Sequence, residues 1–281
     1  MIGALIIVFR EVIEAGIIVG VVMAVTQGVR GSRLMAGAGV AAGVVGASLV
    51  AAFAGALASA LNGVGQEMFN ASILSLAVCM LAWHNIWMAS HGRALAAEAR
   101  KLGQEVRSGS RSLFALAIVV AVAVMREGSE IALFLYGLVA AGGTTARDLL
   151  VGSALGLVAG VAVSAVTYFG LVTIPPRRLF AVTTGLITFL AAGLAAQAAN
   201  FLQQAGLAPM MSDTAWDTSA VLSDTSLFGR VLHTLIGYSD QPSVLQVVVY
   251  AVTLAAIYAL TKAFAPRVAR RPPQTPLTQN G

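Results

Sequence analysis

Charged side chains and cysteine are both scarce in this chain of 281 residues. Only 10% of its residues are Asp, Glu, Lys or Arg, against roughly a quarter in a soluble domain. The single cysteine, Cys79, excludes an intrachain disulfide and a thiolate metal cluster. No basic segment precedes the first apolar run and charged residues interrupt that run, so we expect no cleavable signal peptide.

The chain does contain apolar runs long enough to cross a bilayer as helices. The strict apolar–polar alternation of a transmembrane barrel is missing. We therefore predict an all-α polytopic membrane protein with seven transmembrane helices. The predicted spans are residues 2–26, 34–61, 68–90, 112–140, 148–173, 179–204 and 244–264. They form one domain of seven spans, residues 1–264, followed by a tail, 265–281.

Basic residues are distributed unevenly between the two sides of these spans. Thirteen Lys and Arg residues fall on one side and two on the other, which predicts a cytoplasmic C-terminus and an outer N-terminus. This topology accounts for the net charge of +5, so we do not expect a nucleic-acid partner. We do expect contact with membrane lipid. Most Asp and Glu residues outside the spans lie on the predicted outer side. They could attract a cation there, or their position could simply reflect the concentration of basic residues on the other side.

Two charged clusters interrupt the spans with the same pattern, R-E-x-x-E. The residues are Arg10, Glu11 and Glu14 in the first span and Arg126, Glu127 and Glu130 in the fourth. Glycines at spacings of four also recur in the second and fifth spans. We predict two copies of one unit, about 1–90 and 112–204, then an outer loop, about 205–243, and a last span. Because each copy has three spans, the copies form an inverted repeat, as in many transporters.

The charged residues of each motif share one side of a helix, since they lie within about 100° of one another. An ionisable group facing lipid costs about 2.5–3.5 kcal/mol, so the six groups must face one another or a wet cavity. Salt bridges that lock two helices are one explanation, but they need just one Glu for each Arg. Four carboxylates against two guanidiniums leave negative charge for a proton or a cation to balance.

A hard cation suits this surplus, because carboxylate oxygens favour Mg²⁺, Mn²⁺, Ca²⁺ and high-valent iron, and the motifs contain no Cys or His. We predict a metal site formed by the four motif glutamates and oriented by the two motif arginines. The residues are Glu11, Glu14, Glu127 and Glu130, with Arg10 and Arg126.

The doubled motif on the first and fourth spans resembles that of the oxidase-dependent iron permeases. These are the high-affinity iron permeases of yeast and their bacterial counterparts in elemental-iron uptake. The family motif is R-E-G-L-E; here it is REVIE at 10–14 and REGSE at 126–130. The number of spans, the acidic outer loop and the short cytoplasmic tail are also similar, so the resemblance covers essentially the whole chain.

The resemblance implies transport of ferric iron across the bacterial inner membrane by the motif glutamates. Iron is then the substrate, no organic cofactor is expected, and a separate protein oxidises or delivers iron at the outer face. The differences from the family motif at Val12, Ile13 and Ser129 keep ferrous iron, manganese and lead open as substrates.

Other polar residues mark a possible route to the site. His84, with Asn85, could be a ligand on the exit side, but two flanking tryptophans favour an interfacial aromatic belt. In the sixth span, Gln197, Asn200 and Gln203 are spaced by three. They could line the pathway or form hydrogen bonds between helices.

The outer loop contains helically spaced apolar residues between 227 and 236, which predict a short helix on the membrane surface. Three loop aspartates could collect metal or dock a partner: Asp213, Asp217 and Asp224. Alternatively, Ser212–Asp213 and Ser223–Asp224 could be helix N-caps.

Functions of other classes fit less well. A hydrolase that uses a glutamate and His84 would explain one motif but not its duplicate. A di-iron oxidase is disfavoured because the chain has no Glu-x-x-His pair. A carrier of protons or organic cations that uses the glutamates as relays remains an alternative. We therefore expect a transporter and not an enzyme.

Overall fold

The computed structural model describes residues 1–60, 66–142, 144–170, 176–224 and 226–264. These residues form α1 (Ile2–Val25), α2 (Ser32–Ala60), α3 (Gln66–Arg107), α4 (Leu113–Ala140), α5 (Ala146–Tyr168), α6 (Pro176–Gln204), α7 (Leu227–Ile236) and α8 (Val244–Phe264). Extended structure within them is limited to an isolated β-bridge between Thr214 and Ser243. The predicted all-α class is confirmed, and the tail lies outside the described residues.

Each predicted span overlaps one long helix, but several ends differ. Helix α3 has 42 residues and runs to Arg107, well beyond the predicted span 68–90. The additional residues include Glu98, Lys101 and Glu105, so the second half of this helix is polar. Helix α5 ends at Tyr168, five residues before the predicted end, and 171–173 lie outside the described residues.

Five helices are both long and apolar enough to cross a membrane: α2, α3, α5, α6 and α8. Helices α1 and α4 have 24 and 28 residues, about 36 and 42 Å, which is also sufficient length. They differ from the five by the three ionisable residues of an R-E-x-x-E motif in each, and not by a lack of apolar residues.

The predicted helix in the outer loop is present as α7. Its N-cap is Ser226, whose hydroxyl oxygen accepts a hydrogen bond from the Gly229 amide at 2.9 Å. The alternatives, Ser212–Asp213 and Ser223–Asp224, do not cap it. Gly237 ends the helix at φ 68°, a left-handed conformation that suits glycine.

Glycines let two helix pairs approach closely: α2 packs along α4, and α1 packs along α5. A Cβ atom on Gly43 of α2 would lie 2.7 Å from the carbonyl oxygen of Ala121. A Cβ atom on Gly156 of α5 would lie 2.6 Å from the carbonyl oxygen of Leu5. Neither position has room for a side chain.

These two contacts are related by constant sequence offsets. The glycines, 43 and 156, are 113 residues apart, and their partners, 5 and 121, are 116 apart. The same offsets relate a second pair, in which Gly39 lies over the Ala117 carbonyl and Gly152 lies over the Met1 carbonyl. The R-E-x-x-E motifs are also 116 residues apart, so equivalent parts of α1 and α4 carry both features.

Buried apolar side chains form two clusters, one toward each end of α1. The first contains Ile7 together with Leu81, Phe134 and Leu194. The second contains Val22 and residues of α2, α3 and α4. The charged motif of α1, residues 10–14, therefore lies between two apolar layers.

Candidate metal site

The first motif is almost completely enclosed, because α1 contacts α3, α4, α5 and α6. Arg10, Glu11 and Glu14 are 2%, 0% and 3% exposed. The Arg10 guanidinium lies between the two carboxylates, with Nε 3.0 Å from Glu14 Oε1 and Nη1 3.5 Å from Glu11 Oε1. Arg10 thus orients both glutamates of its own motif.

The second motif has the same internal pairing. Arg126 Nε is 3.2 Å from Glu130 Oε1, with a hydrogen bond, and 3.9 Å from Glu127 Oε1. The Arg126 guanidinium also lies over the ring of Trp87, 4.1 Å from its centroid, as in a cation–π contact.

The two motifs meet at a third helix. Glu11, His84, Glu127 and Glu130 each contribute one potential ligand atom, and these four atoms lie within 4.8 Å of one another. We call these four residues the buried site. Glu14 lies beside it, with Oε2 3.4 Å from His84 Nε2. The structure thus brings three of the four predicted glutamates into one group and leaves Glu14 paired with Arg10.

The preference for an aromatic belt at His84 is wrong for this side chain. His84 is buried, its Nδ1 contacts Glu130 Oε2, and its Nε2 faces Glu11 and Glu14. Of the flanking tryptophans, Trp83 is 70% exposed, as a belt residue would be, whereas Trp87 packs on Arg126. The sequence contains one indication of this buried position: of the three histidines, only His84 lies well inside a predicted span.

Several polar atoms of the site are buried without a hydrogen bond. Both carboxylate oxygens of Glu11 and Glu14 and one oxygen each of Glu127 and Glu130 are in this state. An unsatisfied buried acceptor costs about 1–3 kcal/mol, more when it is charged. Ion pairs of Glu11 and Glu14 with Arg10 and His84, at 3.0–3.8 Å, balance part of their charge but lack hydrogen-bond geometry, so these oxygens remain available as ligands of a metal ion. The arrangement therefore favours a cation site over purely structural ion pairs.

Phe134 covers the buried site on one side. It is one helical turn beyond Glu130 on α4, it is buried, and its ring meets the His84 imidazole edge-on with centroids 6.4 Å apart. Leu138 follows one turn later in the same apolar cluster. Phe134 and Leu138 thus form an apolar cover over the site along α4.

Beyond this cluster lies a cavity of about 700 Å³ between the ends of α4 and α6 and the loop after α6. Its polar walls include Gln197, Asn200, Asp224 and His233. We call it the outer cavity, after the side on which the predicted orientation places it. Gln203 has a different role: it accepts a hydrogen bond from the Ser243 hydroxyl at 2.8 Å. Within the polar stripe of α6, Gln197 and Asn200 thus line a cavity, whereas Gln203 accepts a hydrogen bond from the residue that precedes α8.

The other two loop aspartates are exposed and do not line this cavity. Asp217 accepts hydrogen bonds from the Ser219 amide and hydroxyl and from the Gln241 side chain. The bonds from Ser219 hold the pKa of the Asp217 carboxyl below its ordinary value. Asp217 therefore stabilises the loop, and Asp224 alone of the three predicted aspartates faces the cavity.

Comparison with protein families identifies the chain. The model of the iron permease FTR1 family matches residues 1–269. The chain belongs to this family. Its members are membrane transporters and not enzymes, as predicted, and iron is the substrate that the family name gives.

Curated relatives extend this similarity. A ferrous iron permease EfeU from Yersinia pestis is 32% identical over 253 residues, which cover 88% of both chains. A ferrous iron permease EfeU from Escherichia coli O6:H1 is 30% identical over 260 residues, or 88% of this chain and 90% of the relative. No solved structure matches the chain.

Proposed function

We propose that this chain transports iron across the bacterial inner membrane through the buried site. The observation that carries the proposal is the convergence of Glu11, Glu127, Glu130 and His84, whose potential ligand atoms lie within 4.8 Å of one another. Three helices supply these atoms. A movement of one helix would therefore change the coordination of the ion and release it.

The proposed architecture is a permease of seven spans, α1–α6 and α8, with the N-terminus outside and the C-terminus in the cytoplasm. Residues of about 1–90 and 112–204 form a 3+3 inverted repeat. The constant offsets in the contacts of α1 with α5 and of α4 with α2 support this repeat. In such transporters the substrate site lies between the two halves, as the buried site does between α1 and α4.

Transport begins with an ion that reaches the outer cavity and passes Phe134. It then exchanges its remaining water for the carboxylates of the buried site. Arg10 and Arg126 keep these carboxylates oriented and balance part of their charge when no ion is bound. The two arginines also weaken the attraction for the ion, which allows it to leave toward the cytoplasm when one repeat shifts against the other.

The transported ion is ferric iron in the first form of the proposal. A separate protein at the outer face oxidises ferrous iron and supplies it, because the chain itself has no haem or copper motif. The carboxylate-rich ligand set supports this form, since a small, highly charged ion prefers oxygen ligands.

A second form, transport of ferrous iron itself, is favoured by one observation. The buried site includes the His84 imidazole, a ligand of intermediate softness that suits divalent iron. The names of the curated relatives also specify ferrous iron.

Radiolabelled iron uptake into cells that lack other iron importers tests the proposal. Glu127→Gln retains the shape of the side chain but removes a ligand charge, and we expect it to abolish uptake at normal expression. Asp213→Asn, which removes an exposed carboxylate outside the site, is the matched control and retains uptake. Normal uptake by Glu127→Gln would refute the proposed site.

The same cells distinguish transport of ferric iron from transport of ferrous iron. Uptake is compared with ferrous iron under anaerobic reduction and with ferric citrate, and manganese and lead are added as competitors. Uptake that persists without any oxidant supports ferrous iron as the substrate. Uptake that requires oxygen and an oxidising partner supports ferric iron.

A further inference from the structure

The outer cavity has the chemistry of a second metal site, separate from the buried one. It combines one carboxylate, Asp224, one imidazole, His233, and the side-chain amides of Gln197 and Asn200. At about 700 Å³ it has room for an ion that keeps most of its hydration shell. Residues of the loop after α6 line it, whereas three of the four residues of the buried site, Glu11, His84 and Glu127, are buried.

The orientation of His233 is fixed in a way that favours metal binding. Its Nδ1 lies 2.7 Å from the carbonyl oxygen of Tyr238. Because a carbonyl can only accept, Nδ1 carries the hydrogen and Nε2 holds the lone pair of the neutral ring. A backbone carbonyl that holds the second ring nitrogen is the usual support of a histidine ligand.

Asp224 is held in place through its backbone. Its amide N–H donates a hydrogen bond to the Asp240 carboxylate at 3.2 Å, which fixes the segment that precedes α7. Among the lining residues that the structure describes, Asp224 is the one carboxylate, and there is no lysine or arginine. The wall therefore attracts a cation and disfavours an anionic iron chelate.

The outer cavity and the buried site are joined along one face of α4. Glu130, Phe134 and Leu138 are spaced by four, and Leu138 lines the cavity. Leu138 lies eight residues after Glu130, a rise of about 12 Å along the helix. The apolar side chains of Phe134 and Leu138 thus lie between the cavity and Glu130.

From these observations we infer that His233 Nε2 and the Asp224 carboxylate bind a hydrated divalent transition-metal ion in the outer cavity. The amide oxygens of Gln197 and Asn200 complete or contact its hydration shell. This inference rests on the second form of the proposed function, transport of ferrous iron, because it makes the cavity the place where the divalent substrate is collected before it passes Phe134. An imidazole with one carboxylate selects Fe²⁺ over Ca²⁺ and Mg²⁺, which take oxygen ligands.

The test is a Co²⁺ titration of the purified full-length protein, with the change in visible d–d absorption from that of hydrated Co²⁺ as the signal that protein ligands replace water. It is made in the Glu127→Gln background, which weakens the buried site and leaves the cavity intact. We expect this background to bind Co²⁺, and His233→Gln added to it to weaken Co²⁺ binding by at least about tenfold, which assigns the imidazole ligand. Asp224→Asn, which leaves the His233 support untouched, should weaken it as well.

Two matched controls accompany the titration. His91→Gln removes an exposed histidine of α3, and Asp213→Asn removes an exposed aspartate of the loop. Neither lines the cavity, so both should bind Co²⁺ like the Glu127→Gln parent. Unchanged binding in both His233→Gln and Asp224→Asn would overturn the inference.

Iron uptake supplies the second readout. In the otherwise native chain, His233→Gln should raise the iron concentration for half-maximal uptake about tenfold and leave the maximal rate near its original value. A lower maximal rate with unchanged half-saturation would contradict the inference. If Glu127→Gln transports iron normally, the proposed function fails, but the Co²⁺ titration still tests the cavity by itself.

Discussion

The first R-E-x-x-E motif is almost completely buried, whereas the second is partly exposed. The Arg10 and Glu14 side chains are each 2% accessible, and the corresponding Arg126 and Glu130 side chains are 33% and 15% accessible. The sequence motif and the internal ion pairs are the same in both. The difference must therefore come from the helices around each motif.

Their neighbours explain the difference. Helix α1 is surrounded by α3, α4, α5 and α6, while the second motif is bordered on one side by Trp87 of α3. Trp87 belongs to the last turn of the apolar part of α3, which the predicted orientation places toward the cytoplasm. We infer that the α1 motif is the fixed half of the buried site and that the α4 motif is the half from which the ion leaves.

The largest effect expected from this comparison is on transport. Glu11→Gln should reduce iron uptake roughly 100-fold, because a buried charged ligand worth about 3 kcal/mol has no substitute. Glu130→Gln should reduce it by about tenfold, since water can reach this partly exposed position and replace a ligand oxygen. Uptake at equal expression measures both.

Equal losses in the two variants would show that both halves hold the ion equally. A greater loss in Glu130→Gln would reverse the assignment of fixed and releasing halves. Asp213→Asn is again the control for the removal of a carboxylate far from the site.

How much of this site follows from the sequence depends on the residue. The pairing of Arg10 with Glu14 follows from their spacing on one helix, and the meeting of Glu11 with Glu127 from the repeat of the motif. The sequence leaves two roles open for His84, metal ligand or member of an aromatic belt, because the choice depends on how α3 is rotated about its axis. Flanking tryptophans on both sides of His84 are compatible with either rotation.

The fold, like the site, can be predicted from the sequence only where the signal is local. Hydropathy and spacing identify the long helices and α7, because these signals are local to each element. The outer cavity brings together Gln197, Asp224 and His233 from separate segments. No local pattern relates these residues, and the loop that joins them is folded by hydrogen bonds between distant positions, such as Trp216 Nε1 to the Ser239 carbonyl.

The next largest effect is on stability. Arg10→Gln leaves the buried Glu11 and Glu14 without their cationic partner, which should cost about 3–5 kcal/mol. Arg126→Gln removes a partly exposed guanidinium and its contact with Trp87, which should cost about 1 kcal/mol. Thermal unfolding in detergent, followed by intrinsic fluorescence, measures the difference.

Two further results bear on the difference between the two arginines, one against it and one for it. Similar melting temperatures for the two variants would mean that burial does not distinguish the arginines. A rise in stability when Glu14→Gln is added to Arg10→Gln would support the explanation, because it removes the carboxylate that lost its partner.

A smaller effect is expected at the helix contacts that are common to both halves. Gly43→Ala and Gly156→Ala each place a methyl group against a backbone carbonyl, and overpacking of this kind costs about 1–3 kcal/mol. Gly37→Ala, on the same helix as Gly43, has nothing within 4 Å of the new methyl group. It should be neutral, or stabilising by up to about 1 kcal/mol.

The melting temperatures of these three variants test whether the halves are built alike. Equal losses for Gly43→Ala and Gly156→Ala would support the proposed repeat. A loss of stability in one of them alone would show that the two contacts contribute different energies. A loss of stability in Gly37→Ala would contradict the packing of α2.

The smallest effect is expected in the outer loop, where Asp217 and Asp224 differ in surroundings as the two motifs do. Asp217→Asn should leave iron uptake unchanged, because this side chain is exposed and bonded to Ser219 and Gln241. Its folded-state pKa lies below the ordinary value, so the stabilisation from its carboxylate is present at neutral pH and is lost as the pH falls through that lowered pKa. The Asp217→Asn variant should therefore differ slightly from the native chain in thermal stability at neutral pH and converge with it in strong acid. A clear loss of uptake in Asp217→Asn would extend the metal-collecting surface from the outer cavity to the exposed loop.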